Sequence, residues 1–133
     1  MKPVFLDTVG LIALWDASDQ WHLAALPVFE ALLASQRTMI TTTYIMLECG
    51  NAAARRPYRS AVSRLRKQMK PGHHLIVPTA EDWQAAWLAY ERGDADSAGI
   101  VDHVSFAIMR RLEISNAFTN DGHFRAAGLE TLF

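Results

Sequence analysis

The amino-acid sequence predicts an α/β protein: a three-layer sandwich with a mostly parallel central sheet and helices on both faces. Short apolar runs of strand length alternate with longer segments of helical periodicity, as in proteins built on parallel sheets. The strand-like runs are almost continuously apolar, which indicates strands covered on both sides. A length of 133 residues suits one core, so residues 1–133 are expected to form a single domain.

The first half of the chain contains two predicted strands. Pro3–Leu6 is a short apolar strand, and apolar residues at helical spacing follow it from Leu11 to Trp15. The segment Gln20–Ser35 is helical in pattern, but Pro27 lacks a backbone N–H, which predicts a kink or a division into two helices. A second strand is expected over Thr38–Thr41.

Two helices are predicted next. Thr43–Ala54 is rich in helix formers and is closed by two arginines and a proline. Over Tyr58–Lys70 apolar residues recur at helical spacing, and Pro71-Gly72 ends the helix. A third strand is expected over Leu75–Val77.

The second half of the chain continues the alternation. Thr79, with acids in the following turn, is a good helix start, and Trp83, Trp87 and Tyr90 at helical spacing are expected to form the buried face of that helix. Arg92–Ser97 is a polar turn region. The remaining predicted elements are a helix over 100–112, a strand over 117–119, a short helix over 122–127 and a last strand over 129–132.

Charge is nearly balanced overall but is unevenly distributed. The net charge is −1, so bulk charge does not indicate a nucleic-acid partner. Between Glu48 and Glu81, however, there is no acidic residue. The basic residues of that interval are Arg55, Arg56, Arg59, Arg64, Arg66, Lys67 and Lys70. They indicate either a phosphate-binding surface or an ordinary solvated helix face.

Within this interval three cations share a helical spacing. Arg59, Arg66 and Lys70 form a ridge beside the apolar stripe of their helix and are the candidate RNA-binding residues.

The cysteine content and the lengths of the apolar runs indicate the cellular compartment of the protein. The single cysteine, Cys49, excludes an internal disulfide and fits a reducing compartment. No apolar run approaches the roughly 18 residues of a membrane span, and the apolar stretch before Asp7 is too short for a signal peptide. We therefore expect a soluble, cytoplasmic protein.

Four carboxylates stand in otherwise apolar stretches: Asp7, Glu48, Asp102 and Asp121. Asp7 and Asp121 follow predicted strands, so in a parallel sheet both lie at the carboxyl edge, where α/β folds place their ligands. Asp102 falls in the first turn of its helix, and Glu48 lies one to two turns into the helix that leaves the second strand. All four can therefore converge. Carboxylates that meet in apolar surroundings can stay ionised around a divalent cation, and oxygen ligands suit Mg²⁺ or Mn²⁺.

Each acid also has a simpler explanation. Asp7, Asp102 and Asp121 could each stabilise the start of a helix, and Glu48 could be an exposed helix residue. The apolar residues on both sides of each acid favour the shared site.

Four segments in order resemble the motifs of PIN domains. They are 5–14 around Asp7, 42–51 around Glu48, 100–106 around Asp102 and 118–124 around Asp121, with Ala127-Gly128-Leu129 after the last. The chain resembles most closely the small, stand-alone PIN ribonucleases that act as VapC-type toxins of bacterial toxin–antitoxin pairs. Many relatives carry a serine where this chain has Gly99.

The resemblance implies a fold, an activity and partners. It implies a PIN-like sandwich and an endoribonuclease that uses Mg²⁺ or Mn²⁺ to cleave RNA phosphodiesters as the toxin of a type II pair. Its catalytic and metal-binding residues would be the four acids, with Asp7 and Asp102 as the main ligands. It also implies a cognate antitoxin protein and a homodimer.

Several neighbours of the acids have open roles. Thr8, Asn51 and Thr119 could donate hydrogen bonds to the acids, or could be ordinary cap and turn residues; a supporting role is favoured for Asn51 alone. Asp96 could be an auxiliary acid, although a loop role is favoured. The histidines next to the acids, His103 and His123, could touch RNA, but packing or capping is the favoured interpretation, and no histidine shows zinc-site spacing.

Other functions fit less well. A dehalogenase-type phosphatase needs a second Asp where Val9 stands, and a receiver domain needs a late lysine, whereas no lysine follows Lys70. A dinucleotide-binding domain needs a glycine-rich turn after the first strand. The serious alternative is a catalytically inactive PIN-like module that binds RNA or protein.

Overall fold

A five-stranded, wholly parallel sheet forms the centre of the protein in the computed structural model, which describes residues 1–133. The strands are β1 (Val4–Leu6), β2 (Met39–Thr42), β3 (Leu75–Ile76), β4 (Asn116–Phe118) and β5 (Glu130–Thr131). Their order is β3-β2-β1-β4-β5. In β1, Val4 pairs with Met39 on one side and with Asn116 on the other. The predicted α/β sandwich is confirmed.

Eight helical segments connect and cover the strands. They are α1 (Thr8–Trp15), α2 (His22–Ala34), α3 (Thr43–Ala53), α4 (Arg59–Gln68), α5 (Ala80–Arg92), α6 (Asp94–Ser97), α7 (Ile100–Arg111) and α8 (Gly122–Ala126). Side chains at the helix starts explain several boundaries: Thr42 caps α3, and Thr79 with Asp82 forms a reciprocal capping box at α5. None of these helices is both long enough and apolar enough to cross a bilayer.

The core lies around β1, whose three residues are fully buried, as expected for a central strand covered on both faces. Phe118 of β4 and Phe124 of α8 are also fully buried. Gly10 of α1 lies so close to the Phe118 backbone that no side chain would fit there. Helix α1 can therefore pack directly against the end of β4, which brings the start of α1 beside the segment that follows β4.

A bidentate ion pair joins α5 to α7. The Arg111 guanidinium donates from Nε to Asp82 Oδ1 at 3.0 Å and from Nη2 to Oδ2 at 2.8 Å. Burial raises the pKa of Asp82, but hydrogen bonds from Arg111 and Thr79 outweigh it and hold this pKa below its ordinary value. The pair places the start of α5 against the end of α7, so the start of α7, with Asp102, lies near the end of α5.

Of the two alternatives predicted for Gln20–Ser35, a kink or a division into two helices, the division is wrong. The structure has one continuous helix, α2, with Pro27 inside it rather than two helices. Because Pro27 has no backbone N–H, the carbonyl of Leu23 lacks its helical hydrogen-bond donor. Leu23 lies in the first turn and its side chain is 85% exposed, so water can reach this carbonyl.

The aromatic row of α5 was predicted wrongly as its buried face. Trp83 and Tyr90 are each 47% exposed, whereas the buried positions belong to Asp82 and Ala86. The rings contact one another edge to face in the order Trp83, Trp87, Tyr90. The ion pair of Asp82 and the small side chain of Ala86 let α5 approach α7 closely, and this turns the aromatic rings outward.

Two smaller predictions also need correction. The polar turn predicted over Arg92–Ser97 contains the end of α5 and the four-residue α6, in which Ala95 and Asp96 have left-handed dihedral angles. The basic helix ends at Gln68, so Lys70 lies beyond it and does not continue the ridge of Arg59 and Arg66.

Candidate active site and metal centre

The four acids reach one edge of the sheet from four different elements. Asp7 follows β1 and caps α1, and Asp121 follows β4 and caps α8. Because β1 and β4 are adjacent and parallel, these two carboxylates share the carboxyl edge. Asp102 lies in the first turn of α7, and Glu48 lies in the second turn of α3. Helix capping, the simpler explanation for Asp7 and Asp121, is real, and it orients both side chains at this edge.

Asp7 is the most buried of the four, with 2% of its surface exposed. Its Oδ2 accepts a hydrogen bond from Thr119 Oγ1 at 2.7 Å and one from the backbone N–H of Val9 at 3.3 Å. Burial raises the pKa of Asp7 to about 7; the Thr119 hydrogen bond lowers it, and the charges of Asp102 and Asp121 raise it further. An isolated carboxylate in this position is costly to ionise, whereas one beside a cation is not.

Two threonines hold the acids in place. Thr119 Oγ1, besides donating to Asp7, accepts from the backbone N–H of Asp121 at 3.1 Å, so it links two of the acids. Thr8 Oγ1 donates to Glu48 Oε1 at 2.6 Å. Asn51 is exposed, and its side chain makes no hydrogen bond. The geometry therefore favours Thr8 and Thr119, rather than Asn51, as the residues that orient the carboxylates.

A second set of potential ligands lies at Asp102, Asp121 and His123, whose candidate ligand atoms are all within 4.8 Å of one another. His123 Nδ1 is 2.9 Å from Asp121 Oδ1. Burial raises the pKa of Asp102 to about 6, with further increases from the charges of Asp121 and Glu48 and a decrease from His123. The charge of each acid thus affects the pKa of at least one other acid, so all four are coupled electrostatically. The side chains whose candidate ligand atoms lie closest together are Asp102, Asp121 and His123.

The donor set suits a divalent cation. No Lys or Arg forms an ion pair with any of the four acids, since the ion pairs of the structure are Arg111–Asp82 and His123–Asp121. Burial is the main cause of the raised pKa values of Asp7 and Asp102, and the neighbouring acids raise both pKa values further, with no Lys or Arg to offset them. Carboxylate oxygens are the ligands that Mg²⁺ and Mn²⁺ prefer.

The other chemically notable residues near the acids do not join the group. Cys49 is fully buried, and burial first, then the charges of Asp7 and Glu48, raises the pKa of its thiol to about 12, so it is not a nucleophile. His103 packs edge to face between Tyr90 and Phe106. Asp96 is exposed and lies outside the ligand group.

Sequence reasoning undervalued His123. The favoured interpretation was packing or capping, whereas the structure aims its ring nitrogen at Asp121. The available signal was its place two residues after the acid at a helix start, because an N-cap carboxylate accepts a hydrogen bond from the backbone N–H two positions on and so lies beside that residue.

Comparisons with known proteins agree with the motifs. No protein-family model matches the chain. The chain is 32% identical over 127 residues to the 23S rRNA-specific endonuclease VapC20 of Mycobacterium tuberculosis, covering 94% of each chain. It also matches the crystal structure of the M. tuberculosis VapC20 toxin, described as cleaving the sarcin-ricin loop, with a TM-score of 0.78, 30% identity and 95% coverage of both chains.

Identity of this level extends over nearly the whole length of both proteins, and the fold and the order of the four acidic motifs agree with it. The chain belongs to the VapC-type PIN-domain endoribonucleases, the toxins of bacterial toxin–antitoxin pairs.

Proposed function

We propose that residues 1–133 act as one catalytic domain that cleaves RNA phosphodiesters with Mg²⁺ or Mn²⁺ bound among Asp7, Glu48, Asp102 and Asp121. The observation that carries the proposal is the group of mutually interacting carboxylates without a Lys or Arg partner at the carboxyl edge of the sheet. Such a group has little use in a protein that only binds RNA, because uncompensated negative charge repels phosphate.

Each residue has a distinct task in this proposal. Asp7 and Asp102 are the main metal ligands, since they are the two acids whose raised pKa values a cation would correct. Thr119 fixes the orientation of Asp7, and Thr8 fixes that of Glu48. Asp121 would complete the ligand set beside Asp102, and Glu48 would orient metal-bound water.

The chemistry supplied by a bound divalent ion is charge neutralisation at the phosphate and a lowered pKa of water, which together allow hydrolysis near neutral pH. The protein contributes a rigid position for that ion. The ligand side chains are fixed by helix caps, threonine hydroxyls and a buried strand end, so little reorganisation is needed during the reaction.

The proposal is tested against its alternative, an inactive RNA-binding module, by incubating purified protein with RNA in Mg²⁺ or Mn²⁺ and then in EDTA. We expect fragments with the metal and none with EDTA. Since VapC20 acts on 23S rRNA, ribosomal RNA is the first substrate to test. RNA that stays intact in both metals but still binds the protein would support the inactive module.

We also propose that Arg59, Arg66 and Lys70 contact the RNA backbone. All three are exposed and none forms an ion pair, so their charge is available for phosphate. Arg59 and Arg66 line one groove between α3 and α4, whose floor includes Leu47 of the turn that carries Glu48. Leu47 precedes Glu48 in the chain, but none of the four acids lines the groove.

Replacing these three residues together with glutamine should weaken RNA binding uniformly and flatten its salt dependence. Each lost contact with single-stranded RNA reduces the slope of log K against log salt by about 0.7, so the slope should fall by about 2. Filter binding across a salt series measures it. Lys2→Gln with Arg110→Gln, two exposed cations outside this groove, is the matched control. An unchanged slope in the triple variant would refute the assignment.

The resemblance to VapC toxins extends to partners and location. We propose that the protein is cytoplasmic, is inhibited by a cognate antitoxin protein, and forms a homodimer. Light scattering of the purified protein measures the oligomeric state, and a mass of one chain at micromolar concentration would contradict the dimer.

A further inference from the structure

His123 is the one nitrogen ligand available at the acidic site. It lies in the first turn of α8, directly after the Asp121-Gly122 pair, and its ring is 39% exposed. Its backbone N–H donates to Asp121 Oδ1 at 2.9 Å, and its ring Nδ1 lies 2.9 Å from the same oxygen. Two contacts to one carboxylate oxygen fix where the ring nitrogen points.

The position of His123 Nδ1 is compatible with two roles, a metal ligand or a partner in an ion pair with Asp121. Two neighbouring ligands of one octahedral ion, with bonds of about 2.1 Å, are separated by about 3 Å, and opposite ligands by about 4.2 Å. The Nδ1–Oδ1 distance of 2.9 Å therefore equals the separation of neighbouring ligands. Asp102 lies within the 4.8 Å that contains all three candidate ligand atoms, so small side-chain movements suffice to share one ion.

We propose that His123 Nδ1 is a protein ligand of the ion held by Asp102 and Asp121, and that this nitrogen makes the site prefer Mn²⁺ to Mg²⁺. The inference rests on the proposed metal site and specifies which ion that site selects. Mg²⁺ binds oxygen almost exclusively and gives up water reluctantly, whereas imidazole nitrogen suits transition metals. A mixed nitrogen and oxygen site thus discriminates between two ions that four carboxylates alone would bind similarly.

The alternative is that His123 only pairs with Asp121. In that arrangement a proton lies between Nδ1 and Oδ1, and the imidazole balances part of the acidic charge without touching the ion. The two arrangements differ in whether nitrogen is bonded to the metal, which spectroscopy detects directly.

The test is pulsed electron paramagnetic resonance of the metal-free protein loaded with one equivalent of Mn²⁺. We expect echo modulation from a directly bonded imidazole nitrogen in the wild type, retained in His73→Gln, an exposed histidine away from the acids, and absent in His123→Gln. Calorimetric titration should show Mn²⁺ affinity about 10-fold or more weaker in His123→Gln. Mg²⁺ affinity should change less, so the preference for Mn²⁺ shrinks.

The outcomes separate this inference from the proposed function. Mn²⁺ that binds the wild type without nitrogen modulation overturns the role of His123 and leaves the carboxylate site standing. A wild type that binds no Mn²⁺ overturns both. Nitrogen modulation that survives in His123→Gln also overturns the assignment. If that variant does not fold, wild type labelled at histidine with the heavy nitrogen isotope gives the answer, since the modulation must change with the isotope.

Discussion

Asp102→Asn is expected to abolish RNA cleavage while leaving the fold intact, with activity lower by about 10³-fold or more. The amide has the size of the carboxylate but no charge, and Asp102 is the acid that interacts with Asp121, Glu48 and His123. Removing it takes away one charge at the centre of the group. Asp7→Asn should have an effect of the same order, because Asp7 is the buried ligand at the strand end.

The measurement is the rate of RNA fragmentation under saturating Mn²⁺, with circular dichroism as the check on folding. Asp96→Asn is the matched control: it removes an acid in the segment just before α7, but one that is exposed and outside the ligand group. Asp96→Asn should cleave at the wild-type rate. Asp102→Asn activity within tenfold of wild type would show that the acids do not form the catalytic centre.

The metal-free protein should lose stability as pH rises from about 4 to about 7. The pKa of Asp7 is about 7 in the folded state against an ordinary value of 3.8, so the folded state holds a proton that the unfolded state has released. The stabilisation of the folded state by protonated Asp7 is fully present below pH 3.8 and is lost as the pH rises through about 7. Between these limits the free energy of unfolding falls by about 1.4 kcal/mol per pH unit for this carboxyl, and Asp102, with a pKa of about 6, adds in the same direction.

Urea denaturation in EDTA at pH 5 and pH 8 measures this effect. We expect Asp7→Asn to be more stable than wild type at pH 8 and to depend less on pH, since the amide has no charge to bury. Glu30→Gln, an exposed acid on α2, should behave as wild type. Adding Mn²⁺ at pH 8 should increase the free energy of unfolding of the wild type but not that of Asp7→Asn. Stability that increases with pH in EDTA, or a pH dependence unchanged in Asp7→Asn, would exclude this electrostatic account.

The sequence predicted the sheet and the placement of the acids because both depend on local pattern. Apolar runs locate parallel strands, and a residue that follows such a strand lies at the carboxyl edge whatever the distant contacts are. Asp7 and Asp121 could therefore be placed before the structure was known. The Thr119–Asp7 hydrogen bond joins residues 112 positions apart, and nothing in either segment alone specifies that partner.

The errors have physical causes too. Periodicity on α5 identified a row of aromatic residues but not the direction it faces, because that direction depends on the Asp82–Arg111 pair, whose members are 29 positions apart. The favoured support from Asn51 assumed that a residue one turn beyond Glu48 shares its contacts. In the structure Glu48 is instead held by Thr8 from another helix.

Calorimetric titration of Mn²⁺ into the metal-free wild type, Asp7→Asn and Asp102→Asn is the most direct measurement of the central idea, a cation held by carboxylates from separate elements. Saturable binding by the wild type, at least tenfold weaker in both variants, is the predicted result. Equal affinity in all three proteins, or no binding by the wild type, would contradict it.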